Sequence, residues 1–207
     1  MTAGFKSESP AGFVGIRSQS VANQFGLFTE LLDSPLTEEG LMEAEAARRR
    51  LAKRSWRFSD AFTSTLTRAV VSGWLIIDAL GQPGLIPNAS PRSTSGTKTT
   101  DKTTADARWG AERIKTWRCS YAETPPNGEI LRDTVARIVP CYLRSILPAI
   151  MGRDVLVVAH GNCLRALVMA LEDLSPAEVE HLELATGSVR IYEFAADMTI
   201  KARCIDG

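Results

Sequence analysis

The sequence predicts an α/β fold: a three-layer sandwich with helices on both faces of a mixed, mostly parallel sheet. Three observations carry this expectation. The run Val155-Leu156-Val157-Val158-Ala159 is uninterrupted and aliphatic, the pattern of a strand covered on both faces. Apolar strand-like runs alternate along the chain with segments whose apolar residues recur at helical spacing, and such alternation builds parallel sheets through helical crossovers. The 207 residues suffice for one domain of this kind, leaving no room for a second full one.

The elements follow in order. Phe13 to Arg17 reads as a buried strand that turns abruptly polar at Arg17-Ser18-Gln19-Ser20. Thr37, followed by Glu38 and Glu39, reads as the N-cap of a helix that carries Leu41, Ala44, Ala47 and Leu51 inward and closes in the basic run from Arg48 to Arg54. Phe58 to Phe62 predicts a second strand. Thr63-Ser64 then caps a helix that buries Leu66, Ala69, Val70, Trp74, Ile77 and Leu80 and ends at Gly81, Pro83 and Gly84. Between Asn88 and Thr104 nine of seventeen residues are Ser or Thr, so a long polar loop is expected over 88–104. A helix near Ala105 carries Trp109, Ile114 and Trp117, a pair of tryptophans that reads as packing. After Pro125-Pro126-Asn127-Gly128, a longer helix is predicted from about Leu131 to Ile150, bent or shortened by Pro140 and Pro148. The Val155 strand ends at His160-Gly161-Asn162, where a helix with Leu164, Ala166, Leu167, Met169 and Leu171 begins. A shorter helix after Ser175-Pro176 and a last strand, Val189 to Phe194, complete the domain, expected over 13–198 with tails at 1–12 and 199–207.

Composition excludes several functions. With 24 basic and 24 acidic residues the formal charge is zero, so no electrostatic footprint draws the chain to nucleic acid or anionic lipid. The most apolar run, Ala69 to Leu80, is too short to cross a bilayer. The first twelve residues lack the apolar core of a secretory signal, which points to the cytoplasm and makes the Asn88-Ala89-Ser90 sequon meaningless. Cys119, Cys141, Cys163 and Cys204 are widely spaced and accompanied by only two histidines, so neither a metal site nor a disulfide framework is expected. No phosphate-binding Gly-rich loop or nucleophile elbow is present.

Ligands of open α/β sheets bind beyond the carboxyl ends of the strands, here Arg17-Ser18 and His160-Gly161-Asn162. The second of these opens a helix, whose free N–H groups and positive dipole end favour an anion, and Gly161 lets a ligand come close to the backbone. Arg68, early in its helix, supplies a further guanidinium if that helix starts along the same edge. Arg17, Arg68 and His160 together describe a phosphate pocket. Each has a plainer reading: the arginines as surface residues, His160 as a satisfied structural histidine. His181, among acids, reads as solvated and Cys163 as a buried thiol.

In order along the chain, Phe28-Thr29, Pro35-Leu36-Thr37-Glu38-Glu39-Gly40, Phe62-Thr63-Ser64-x-Leu66-x-Arg68-Ala69, Trp117-Arg118-Cys119-Ser120-Tyr121, Gly128-Glu129-x-Leu131-x-Asp133-Thr134-Val135-Ala136-Arg137, Ala159-His160-Gly161-Asn162-x-Leu164-Arg165-Ala166-Leu167 and Thr186-Gly187 resemble the cofactor-dependent phosphoglycerate mutases, a branch of the histidine phosphatase superfamily. The resemblance implies a mixed, mostly parallel sheet flanked by helices and phosphoryl transfer between hydroxyls of phosphoglycerate through a phosphohistidine, with 2,3-bisphosphoglycerate as cofactor. On the matching positions it implies substrate binding by Arg17, Asn23, Arg68, Lys102, Arg118, Gly161 and Asn162, with His160 as the second histidine.

The departures fall on the chemistry. Where the family has its nucleophilic histidine this chain has Ser18, in a segment one residue shorter; where the general acid and base glutamate is expected, it has Pro91. Glu30 replaces a substrate-contacting glycine, and Cys119 replaces the second of two substrate-binding arginines. A carboxylate at Glu30 repels a phosphorylated acid. The expectation is therefore a degenerate mutase fold that binds a phosphorylated small molecule or a partner without ordinary turnover, with 2,3-bisphosphoglycerate as cofactor only if the chain is active. The alternatives are an active mutase or phosphatase in which His160 takes the phosphoryl group from 2,3-bisphosphoglycerate, and a structural role in a homo-oligomer or beside an active homologue.

Overall fold

In the computed structural model, residues 11–16, 35–53, 56–90, 109–110, 112–113, 116–117, 120–123 and 130–206 are described. The strands are β1 (Ala11–Ile16), β2 (Phe58–Ser64), β3 (Asn88–Ser90), β4 (Asp154–Val158), β5 (Val189–Phe194) and β6 (Ile200–Asp206). The helices are α1 (Glu38–Ala52), α2 (Thr67–Ala79), α3 (Leu131–Cys141), α4 (Leu147–Ile150), α5 (Gly161–Glu172) and α6 (Pro176–Glu180). Among the described residues the strands form one six-stranded sheet in the order β3-β2-β4-β1-β5-β6. The pairs β3·β2, β2·β4 and β4·β1 are parallel, and β1·β5 and β5·β6 antiparallel.

The aliphatic run of β4 is central because every one of its side chains has a core to enter. Val155 and Val157 join one buried cluster with Leu164, Leu167 and Val168 of α5 and Ile138 of α3. Leu156 and Val158 point the other way, among Ala47 and Leu51 of α1 and Ile76 and Ile77 of α2. This period of two on one strand, read by helices from both sides, makes the three layers.

Helix α1 starts where its cap predicts: the Thr37 hydroxyl accepts from the Gly40 N–H at 2.9 Å. Its inward face is Gly40, Ala44, Ala47 and Leu51, and Leu41 is exposed, correcting the expected stripe by one position. Helix α2 is likewise rotated from expectation. Arg68, Ala69, Ser72, Gly73, Ile76 and Ile77 are buried, while Trp74 is 39% exposed. The backbone of Gly73 comes so close to β2 that a Cβ there would lie 2.9 Å from the Thr63 methyl, and this approach turns the small residues of α2, rather than Trp74, towards the sheet.

Four further expectations are revised. Thr63-Ser64 does not cap α2: both residues belong to β2 and are buried, and the helix begins at Thr67 after Leu66. The polar segment beginning at Asn88 contributes an edge strand, β3, through Phe62↔Asn88, Thr63↔Ala89 and Ser64↔Ser90 pairing, because backbone hydrogen bonds at an edge ask little of side chains. The carboxyl-terminal tail expected from 199 is instead β6, paired with β5 from Val189↔Asp206 to Phe194↔Ile200. The long helix over 131–150 is broken into α3, a π-helical turn at Tyr142–Ile146, and α4. That break accommodates Pro148, while Pro140 stays inside α3. Pro148 would press its ring against the Arg144 carbonyl in a continuous α-helix, and the widened turn containing Arg144 relieves the clash, with the Leu147 N–H reaching back to the Tyr142 carbonyl.

Trp109 and Trp117 pack edge to face on each other, centroids 5.7 Å apart, with the Arg113 guanidinium 5.8 Å from the Trp117 ring. No helix among the described residues is long and apolar enough to cross a membrane.

Candidate phosphate site

Strands β1, β2 and β4 end at one level. Ile16 of β1 and Thr63 of β2 both pair with Val158, and the Ala159 N–H donates to the Ile16 carbonyl at 3.1 Å. Whatever follows these strands meets at the same sheet edge. After β4 come His160, Gly161 and Asn162, the start of α5; after β2 comes Arg68, the second residue of α2. The parallel pairing of Phe13–Ile16 with Val155–Val158 thus matches the expected arrangement.

His160 precedes α5 with extended backbone (φ −80°, ψ 162°), its carbonyl taking the first helical bond from the Leu164 N–H. The side chain does not cap the helix. It turns to β2, where Nε2 lies 2.7 Å from the Ser64 Oγ in a buried contact. Asn162 is buried as well, and its Oδ1 accepts from Arg165 at 3.1 Å, so its amide oxygen is occupied within the protein. Arg165 in turn donates from Nε to the Leu182 carbonyl at 3.1 Å. Arg68 is 6% exposed, uncommonly low for a guanidinium, and its backbone carbonyl accepts from the Ser72 hydroxyl.

The helix ends differ in charge. Helix α1 has Glu38 and Glu39 in its first turn and the Thr37 cap, so its positive end is neutralised internally. The first turns of α2 and α5, Thr67-Arg68-Ala69 and Gly161-Asn162-Cys163, carry no acid and have no side-chain cap. Two helix N-termini, with Arg68 in the first turn of one and His160 immediately before the other, therefore start at the edge of one sheet, an arrangement that attracts an oxyanion.

Side-chain contacts tie two loops to the domain, one of them beside the end of β1. Val189↔Ile16 pairing puts the turn before β5 beside the end of β1. That turn is tied to α1 by Thr186 donating to Glu43 at 2.5 Å and by Arg50 donating to the Gly187 carbonyl at 2.9 Å. Glu180 of α6 accepts from the Ser120 hydroxyl at 3.0 Å and from the Tyr121 N–H at 2.6 Å, fixing the residues after Arg118 against the domain.

Of the residues expected at the site, Arg68, His160, Gly161 and Asn162 come together at this edge. Arg17, Asn23, Lys102 and Arg118 lie outside the described residues, as do Ser18, Glu30, Pro91 and Cys119. His181 is exposed at the end of α6 and Cys163 is buried in the core, both as expected. Among the described residues no cluster of three or more His, Cys, Asp or Glu side chains is placed to hold a metal ion. Sequence reasoning missed Ser64. The Thr-Ser pair reads from sequence as a helix cap, and only the parallel register of β2 and β4 in the structure sets residue 64 level with 159 and so beside His160.

The chain belongs to the histidine phosphatase superfamily, branch 1, whose family model matches residues 18–205. Within it, the chain is 45% identical over 190 residues to a 2,3-bisphosphoglycerate-dependent phosphoglycerate mutase of Bradyrhizobium sp., covering 89% of this chain and 92% of that one. It is 46% identical over 190 residues to the protein of the same description from Methylobacterium sp., covering 89% and 91%. Among solved structures, a mycobacterial glucosyl-3-phosphoglycerate phosphatase in complex with VO3 superposes with a TM-score of 0.77 at 24% identity, over 95% of this chain and 98% of that one. The α-ribazole phosphatase of Shigella flexneri gives 0.75 at 20% identity, over 92% and 94%. At these identities the structures show a shared fold.

Proposed function

We propose that this chain is a phosphoglycerate mutase-like protein that binds a phosphorylated small molecule or partner at the shared edge of β1, β2 and β4 without ordinary mutase turnover. The observation that carries the reading is the split between binding and chemistry: Arg68, His160 and Asn162 stand buried at two uncapped helix starts, while Ser18 and Pro91 occupy the positions at which the family resemblance expects a nucleophilic histidine and an acid/base glutamate. A serine hydroxyl needs a base within reach to attack phosphorus, and proline has no proton to give. General acid–base catalysis alone contributes about 10²- to 10⁴-fold, so losing both groups removes useful turnover. At the position where the family resemblance expects a substrate-contacting glycine, Glu30 brings a carboxylate that opposes a phosphorylated acid.

The second reading is an active mutase or phosphatase with 2,3-bisphosphoglycerate as phosphoryl donor and His160 as acceptor. It is favoured by the extent of identity to curated mutases. Acid-labile labelling from 2,3-bisphosphoglycerate separates the two. The expected result is no label on the native protein and slow labelling, without mutase turnover, in Ser18→His; label on the native protein that disappears in His160→Ala refutes the non-catalytic reading. Calorimetry with inorganic phosphate and 3-phosphoglycerate tests the pocket: binding at millimolar ligand is expected, weakened about tenfold or more by Arg68→Ala, as befits loss of a charge-assisted hydrogen bond.

A further inference from the structure

On the anion-binding reading above, on which this inference rests, we propose that Arg165 is a positioning residue: it holds the Asn162 carboxamide by its oxygen, so that Asn162 meets a bound anion with N–H and not with a carbonyl.

The two ends of a carboxamide are alike in shape and opposite in hydrogen-bonding sense, so the partner decides which atom lies where. Here the partner leaves one answer. A guanidinium has five N–H groups and no acceptor, so the Asn162 atom 3.1 Å from Arg165 Nη1 is the oxygen, and the other end of the amide is the NH2 group. Arg165 is itself held from a second side, its Nε donating to the Leu182 carbonyl at 3.1 Å. Leu182 follows α6, and its own N–H donates to the Val179 carbonyl at 3.2 Å. The guanidinium thus ties the turn after α6 to the first turn of α5, with both ends of its hold on the protein.

Placement makes the polarity matter. Asn162 is buried at the second position of α5, a helix start with no acid in its first turn and no side-chain cap. An unprotonated phosphate oxygen only accepts hydrogen bonds, so a carboxamide turned the other way would set a carbonyl against it. The NH2 group carries two hydrogens, so a contact that one of them makes within the protein does not exclude the anion from the other. Arg165, three residues further along α5, also brings a positive charge within a turn of the same helix start.

Variants at the two positions separate positioning from folding. Asn162→Asp gives Arg165 a carboxylate to hold and places an acid in the first turn of α5, so it should resist urea at least as well as the native protein at pH 7. It also replaces the NH2 group by an acceptor, so calorimetry should show inorganic phosphate bound about tenfold or more weakly than by the native protein, and more weakly than by Asn162→Ala. Arg165→Met should weaken phosphate binding more in the native background than in Asn162→Ala, by about threefold or more, as expected of partners in hydrogen-bond contact. Without ligand, the side-chain 15N–1H signals of Asn162, assigned by their absence from Asn162→Ala, should shift in Arg165→Met. Equal losses in the two backgrounds overturn the proposal, as do unmoved amide signals or an Asn162→Asp variant that binds phosphate like the native protein. Should Arg165→Met fail to fold, the Asn162→Asp comparison still decides. Failure of phosphate to bind the native protein at millimolar concentration overturns the anion-binding reading instead, and the two failures are distinguishable because the amide signals are read without ligand.

Discussion

Two glycines with nearly the same backbone offer a controlled measurement of how tightly the site's rim is held. Gly187 and Gly81 lie in the left-handed region, with φ of 69° and 70°. A side chain at either incurs the left-handed penalty of about 1–2 kcal/mol. They differ in what surrounds them. A Cβ at Gly81 meets nothing within 4 Å, whereas at Gly187 it lies 3.0 Å from Glu43 Cβ and 3.1 Å from Glu43 Cγ. Glu43 Cβ is fixed to α1 and cannot swing aside, and the turn cannot retreat without stretching the bonds from Thr186 to Glu43 and from Arg50 to the Gly187 carbonyl. Crowding of this sort typically adds about 1–3 kcal/mol. Gly81→Ala should therefore cost about 1–2 kcal/mol, from backbone strain alone, and Gly187→Ala about 2–5 kcal/mol, from strain and crowding together. For a chain of this size each kcal/mol lowers Tm by about 2–4 °C, so the two variants separate readily in thermal and urea unfolding. Equal losses would refute the claim that the turn is clamped to α1.

Three further outcomes follow from local contacts. Burial, with a smaller contribution from Glu193, raises the Asp154 carboxyl above the usual range against the opposing Gly12 N–H bond. The folded state therefore loses stability as pH rises through that elevated value, and Asp154→Asn, which keeps an acceptor for Gly12, should melt higher than the native protein at pH 7 with the gain vanishing near pH 3; a pH-independent difference would contradict this. Glu180→Ala removes the acceptor of the Ser120 hydroxyl and the Tyr121 N–H and should cost about 1 kcal/mol, with Glu180→Gln largely sparing it, as checked by urea unfolding. Thr37→Ala should cost about 1 kcal/mol through the lost cap on Gly40, read in the same assay.

The parts of the fold legible in the sequence are those where periodicity and burial agree. The β4 run has an apolar side chain for each core, and α1 has a cap, acids and small apolar residues in step. Strand β6 was illegible because Ile200-Lys201-Ala202-Arg203-Cys204-Ile205-Asp206 is an edge strand with mostly exposed side chains, held by backbone pairing that composition does not record. The inward face of α2 was misjudged because Trp74 outweighs Ser72 and Gly73 in any hydrophobic pattern, whereas close approach to Thr63 needs small residues. At the site, the placing of Arg68 and His160 at helix starts along one sheet edge was legible from strand ends and helix starts. The Ser64 contact was not, because it depends on β2 continuing two residues beyond Phe62 and on the register it takes against β4.

The position of β1 has a bearing on how the chain is made. It lies inside the sheet, hydrogen-bonded on one side to residues 155–158 and on the other to residues 189–194. On a ribosome the first strand therefore emerges long before either neighbour exists, and must wait, unpaired, for more than two thirds of the polypeptide to follow. Contacts so distant in sequence make for slow folding and leave an apolar strand open to wrong partners during synthesis. A nascent chain arrested before residue 154 should bind chaperones through this segment, and completion of β5 should be the step at which ribosome-bound chains become protease-resistant.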